Sequence, residues 1–93
     1  MTYIKVSWKH SFSDEPVLMY SELDENRNEI RKVEIYRDGI MGYAWKDISM
    51  NGTTLSESEI PELSVINKDI QFEGVGIIKD EFDIIWETAT KRK

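Results

Sequence analysis

His10 is the only histidine of the chain and lies in the segment His10-Ser11-Phe12-Ser13-Asp14-Glu15-Pro16. An imidazole beside two hydroxyls and two carboxylates is the residue set of base-assisted nucleophilic catalysis. Asp14 or Glu15 would orient the ring, and Ser11 or Ser13 would attack. Triad geometry is not contained in loop spacing. The same residues therefore also describe an imidazole that bonds a loop carbonyl or carboxylate and fixes a connection between strands. The carboxylates Asp14, Glu15, Glu22, Asp24 and Glu25 allow a paired-acid site, in which close like charges raise one pKa. No glycine-rich phosphate cradle accompanies them, and a solvated rim that meets basic side chains is the plainer reading. A lone histidine, no cysteine and no Asp-x-Asp-x-Asp-Gly run leave no metal site to read, and no cofactor motif is present.

The elements that must position these side chains follow from local pattern. Residues 3–9 alternate, with Ile4, Val6 and Trp8 on one side and Tyr3, Lys5, Ser7 and Lys9 on the other, as in a half-buried strand. Residues 17–23 form a second apolar run opened by Pro16, and residues 29–37 alternate again around Val33 and Ile35. Asp24-Glu25-Asn26-Arg27-Asn28 is a polar turn, and Asp38-Gly39 is a hairpin signal leading into a strand over 40–45. After the Asn51-Gly52 turn, Pro61 opens a short helix carrying Leu63, Ile66 and Asn67, and residues 75–78 read as an edge strand or an extended lead-in to the next helix. Phe82, Ile85, Trp86 and Ala89 form a helical apolar stripe. Asp80, Glu81 and Asp83 stand at its N-terminal end, and Lys91-Arg92-Lys93 complement the other end. The fold class expected is α+β: an antiparallel meander of about four strands, with an added edge strand, and two helices from the C-terminal half packed on one face.

Size and charge bound what such a domain does. The chain has 93 residues, no cysteine and a net charge of −6. That is room for one core, so a single domain over 1–93 is expected and a two-domain enzyme is excluded. Without cysteine there is no disulfide framework and no thiolate nucleophile. No apolar run approaches the ~20 residues of a membrane span, and the first residues carry no apolar signal core, so a cytoplasmic location is expected. Residues 1–56 hold 7 basic against 9 acidic side chains, and residues 57–90 hold 2 against 9. Phosphate backbones and anionic membranes recruit Lys and Arg, so neither nucleic acid nor a membrane is the expected partner; a cationic protein is.

If Ile4, Val6, Trp8, Val33 and Ile35 face the helices, then Tyr3, Lys5, Lys32, Glu34 and Tyr36 face away, with Tyr20 or Tyr43 joining them. Tyrosines among lysines describe a single-strand nucleic-acid platform, but Glu34 within the stripe and the anionic total oppose it. Tyrosine with mixed charge is equally the composition of a protein-binding face. Trp8 and Trp86 fall on core stripes, whereas Trp45, beside Lys46 and Asp47, reads either as a further core residue or as a half-exposed interface anchor.

Tyr3-Ile4-Lys5-Val6-Ser7-Trp8, Asp14-Glu15-Pro16-Val17-Leu18, Tyr20-Ser21-Glu22, Arg31-Lys32-Val33-Glu34-Ile35-Tyr36-Arg37-Asp38-Gly39 and Gly42-Tyr43-Ala44 together resemble a family of small bacterial domains of unknown function. The likeness runs on through Ile60-Pro61, Ile66-Asn67, Phe72 and Glu81-Phe82 to Trp86. Ser11 and Ser13 depart from it, since acid and proline are common there, and the resemblance brings no catalytic residue with it. It implies a setting: small acidic cysteine-free domains of this kind look like immunity proteins of contact-dependent inhibition and related toxin systems, which neutralise a cognate toxin, often a cationic nuclease.

The expectation is thus a non-enzymatic protein that blocks a basic toxin's substrate site. Asp14, Glu15, Glu22, Glu34 and Asp47 would meet its cations, and Tyr20, Tyr36 and Trp45 would serve as aromatic anchors. Glu57, Glu59 and Glu62 form an alternative acidic patch. The other classes are a regulatory or adaptor domain for a different protein, and a small hydrolase centred on His10.

Overall fold

A computed structural model describes residues 1–91; Arg92 and Lys93 of the basic tail lie outside the described residues. The alternating segments become β1 (Thr2–Trp8), β2 (Leu18–Leu23), β3 (Glu29–Ile35) and β4 (Met41–Trp45). A three-residue β5 (Ile48–Met50) follows, then the single-turn α1 (Leu63–Ile66), β6 (Phe72–Ile77) and α2 (Lys79–Lys91). The strands form one six-stranded sheet in the order β5-β4-β3-β2-β1-β6, antiparallel throughout. The fold is α+β, a meander extended at the β1 edge by the later strand β6.

Three features differ from the sequence reading: the strand count, the faces the helices cover, and the faces that β1 and β3 share. β5 is an extra meander strand, joined to β4 through Lys46-Asp47, where Lys46 takes φ 56°. Lysine seldom occupies that left-handed region, so the dipeptide carries no turn signal. The helices, moreover, do not share a face. α2 covers one side of the sheet, packing Phe82 and Ala89 with Tyr3, Tyr20 and Val33, and bringing Ile85 and Trp86 against them. α1 covers the other, where Leu63 and Ile66 meet Ile4, Val6 and Leu23.

Register explains this. Lys5 stands opposite Tyr20, Tyr20 opposite Val33 and Val33 opposite Tyr43, whereas Val6 stands opposite Met19 and Met19 opposite Glu34. Directly opposed residues share a face. Val33 and Ile35 therefore lie with Tyr3 and Lys5 beneath α2, and Lys32 and Glu34 lie with Ile4 and Val6, reversing the pairing expected between strands. Both parities of β1 are buried because each meets its own cover.

Arg27 directs the return of the chain across the α1 face. It stands at φ 65° in the β2–β3 turn, and its guanidinium donates from Nε to the Ile60 carbonyl at 2.7 Å and from Nη2 to the Pro61 carbonyl at 2.6 Å. The Ile60 N–H in turn donates to the Arg27 carbonyl at 2.9 Å.

Candidate functional site: an acidic hollow on the sheet

On the α1 face, at the end of the sheet away from the β2–β3 turn, lies a hollow of about 590 Å³. Trp8, Met19, Glu34, the 13–16 segment, the Tyr36-to-Ile40 turn and Asn51-Gly52 line it. Each wall has a local cause. The β3–β4 turn is closed by Gly39 N–H to the Tyr36 carbonyl and Tyr36 N–H to the Ile40 carbonyl, both at 2.9 Å, with Gly39 at φ 89°. Asp38 holds the Ile40 N–H at 3.0 Å, and Ile40 is left 51% exposed. Glu34 comes from β3, and its Oε1 accepts the hydroxyl of the fully buried Thr53 at 2.8 Å.

The loop bearing Asp14 and Glu15 is anchored through His10. Its Nδ1 accepts the Phe12 N–H at 3.0 Å, and its Nε2 lies 2.8 Å from the Pro16 carbonyl. An accepting Nδ1 places the ring proton on Nε2, which donates to Pro16. Both nitrogens are thus engaged by backbone, and neither is directed at Ser11 or Ser13. Arg37 adds a bond from Nη2 to the His10 carbonyl at 2.5 Å. Behind the lining residue Trp8 runs a ring ladder: Phe72 stacks on Trp8 at 5.7 Å, Trp8 lies 4.3 Å from His10, and His10 stacks on Phe12 at 5.4 Å. Phe12 itself is 57% exposed.

Four carboxylates, Asp14, Glu15, Glu34 and Asp38, therefore line one concavity beside Tyr36. The tyrosine registers the field. Its hydroxyl is pushed above its ordinary value of 10.0 first by burial, and then by Glu34, Glu15 and Asp14, whose charges oppose a phenolate. The arrangement suits a cation, and the Trp8 and Tyr36 rings that line the hollow suit one as well. Among the described residues no three His, Asp or Glu side chains converge as metal ligands.

A second, mainly apolar cavity of about 360 Å³ adjoins the hollow under α1, with Met19 lining both. Its apolar walls include Ile4, Val6, Ile60 and Phe72, and Ser21, Glu29 and Lys32 also line it. Those polar groups satisfy one another. Glu29 accepts from the Ser21 hydroxyl at 2.6 Å and the Ser56 N–H at 2.8 Å, and pairs with Lys32 at 3.0 Å.

The remaining sequence candidates lie elsewhere. Glu22 and Tyr20 are buried beneath α2, where Glu22 is gripped by Arg31 and Tyr3, and Tyr20 is only 8% exposed. Neither is open to a partner, because register turns them to the covered face. Trp45 is 37% exposed and lies edge-on to Trp86 at 6.5 Å, with Lys46 over its ring at 4.6 Å. With the exposed Asp47 it sits at the opposite end of β4 from the hollow. Glu57, Glu59 and Glu62 are exposed, and Glu62 pairs with Arg27 at 3.4 Å. Sequence reading missed Asp38 and Trp8 as site residues. Asp38 has the signature of a turn residue, and Trp8 that of a core one. The alternation that placed Trp8 on one face with Val6 is the signal that would have found it, once Glu34 was known to share that face.

No curated protein and no solved structure matches the chain. A family model, described as a domain of unknown function, DUF6881, matches residues 2–91. With all six strands and both helices inside that span, the chain belongs to the DUF6881 domain family.

Proposed function

We propose that this protein is an immunity protein: it binds a basic bacterial toxin of the cytoplasm, most simply a nuclease, and blocks its substrate site by occupancy. The observation that carries the reading is the convergence of Asp14, Glu15, Glu34 and Asp38, from a loop, a strand and a turn, on one hollow. A nuclease groove is built to receive phosphate and so presents Lys and Arg. A concave acidic surface steers such a groove into register and raises its association rate. The exposed Phe12 and Ile40 flank the acids and supply the apolar contact that charge alone lacks. Met19 joins the hollow to the apolar cavity, so one partner segment can seat a cation and an apolar side chain next to each other. Chemistry by His10 is disfavoured because both ring nitrogens are occupied by backbone groups.

Co-expression with the product of the neighbouring gene tests the reading. A stable complex and protection of growth are expected, and a triple D14N/E15Q/E34Q variant should slow association about tenfold or more at low salt while keeping its fold. Absence of both complex and protection overturns it.

A further inference from the structure

We propose that His10 is a protonation switch for the 10–16 loop: a second proton on its ring breaks the anchor to Phe12 and frees the rim of the hollow, while the anchor to Pro16 holds. The geometry admits one neutral tautomer. Phe12 N–H points at Nδ1 from 3.0 Å and requires a lone pair there, so the ring proton sits on Nε2 and donates to the Pro16 carbonyl at 2.8 Å. Imidazolium carries protons on both nitrogens. The Nε2 bond survives and gains from the charge, but at Nδ1 two N–H donors would face each other. The proton comes from solvent, and the Phe12 N–H passes to water.

Charged groups come near the ring from its own loop, from the end of β1, from beyond β3 and from the 66–72 turn. Asp14 and Glu15 share its loop. Lys9 precedes it, and Arg37 reaches in from beyond β3 to the His10 carbonyl. The 66–72 turn packs against Trp8 through Phe72 and Gln71, which takes the Trp8 indole N–H at 3.4 Å, and it carries Lys68 and Asp69. The ring also lies 4.3 Å from Trp8 and stacks on Phe12 at 5.4 Å, so the contacts that move are those of the ring ladder. The inference goes beyond the proposed function and does not depend on it, since it concerns the loop of the free protein.

The test is an NMR titration of the isotopically labelled full chain from about pH 8 to about pH 5, the range in which imidazole side chains take up a proton. At the upper end the ring nitrogens should report the Nε2–H tautomer. The Phe12 amide resonance should then shift with the same midpoint as the ring. In His10→Asn, whose side-chain oxygen can replace Nδ1 as acceptor but takes no proton, the Phe12 amide should hold its position throughout. An Nδ1–H tautomer at high pH, or a Phe12 amide that stays fixed while the wild-type ring titrates, overturns the proposal, and the wild-type titration decides it even if the variant fails to fold.

Discussion

Arg31 grips Glu22 in a two-point contact, Nε to Oε1 at 2.7 Å and Nη2 to Oε2 at 2.9 Å, and presses its guanidinium 4.8 Å from the centre of the Phe82 ring. Tyr3 donates its hydroxyl to the same carboxylate at 3.0 Å, and Arg31 reaches on to Asp83 of α2 at 3.3 Å. The charged cluster thus ties three strands of the sheet and the helix together. Replacing Arg31 with Leu would leave Glu22 buried without its cation, and the expected loss of stability is about 3 kcal/mol. Arg31→Lys keeps a charge but not the fork, and should fall between the two. Urea unfolding of the three proteins checks the order.

Acid should weaken this cluster with a defined sign. The Arg31 hydrogen bonds hold the Glu22 carboxyl below its ordinary value of 4.5 against the opposing pull of burial, and Lys79, then Arg31, hold Asp83 below 3.8. A carboxylate with a depressed folded pKa contributes stability that is complete above its unfolded pKa and is lost as pH falls through the folded one. Stability should therefore hold down to about pH 4.5 and decline below it. Arg31→Leu should flatten that decline. Burial raises the Tyr3 hydroxyl above 10.0, aided by Glu22, so a second loss is expected as pH rises past 10.0. Urea midpoints measured across pH test both limbs.

Gly42 couples the core to the hollow. A methyl at this position would overlap the Thr53 hydroxyl and stand 2.8 Å from the Met50 carbonyl oxygen, both packed too tightly to yield freely. Thr53 is the residue that holds Glu34. Gly42→Ala should cost about 1–3 kcal/mol by overpacking and should also loosen Glu34, whereas Thr53→Val should free Glu34 for about 1 kcal/mol. Thermal unfolding and the Glu34 side-chain NMR signals read the two effects separately.

Asn67 guards the outer edge of β6. Its amide takes the Gly74 N–H at 2.6 Å and donates to the Gly74 carbonyl at 3.0 Å, occupying the pair of groups that another strand would use. Phe72 N–H is already given to the Asp69 carbonyl at 3.0 Å. Asn67→Ala should destabilise by about 1–2 kcal/mol and open the edge to strand addition. Sedimentation of the variant should show concentration-dependent association absent from the parent.

Local pattern in the sequence accounts for the class, both helices and the strands other than β5. Alternation around Val6 and Val33, the Asp38-Gly39 turn and the Phe82-Ile85-Trp86-Ala89 stripe are local signals, set by the two backbone periods and by the few residues that tolerate a turn. It also supplied the acidic excess and four of the residues now found at one site, Asp14, Glu15, Glu34 and Tyr36. Which faces those residues share follows from strand pairing and from nothing local. Alternation within a strand is silent about the parity of its neighbour, and a one-residue change of register exchanges the two faces of a sheet. That is why Glu22 and Glu34, both acids on neighbouring strands, end on opposite sides. One is locked under α2 by Arg31, and the other opens into the hollow beside Tyr36.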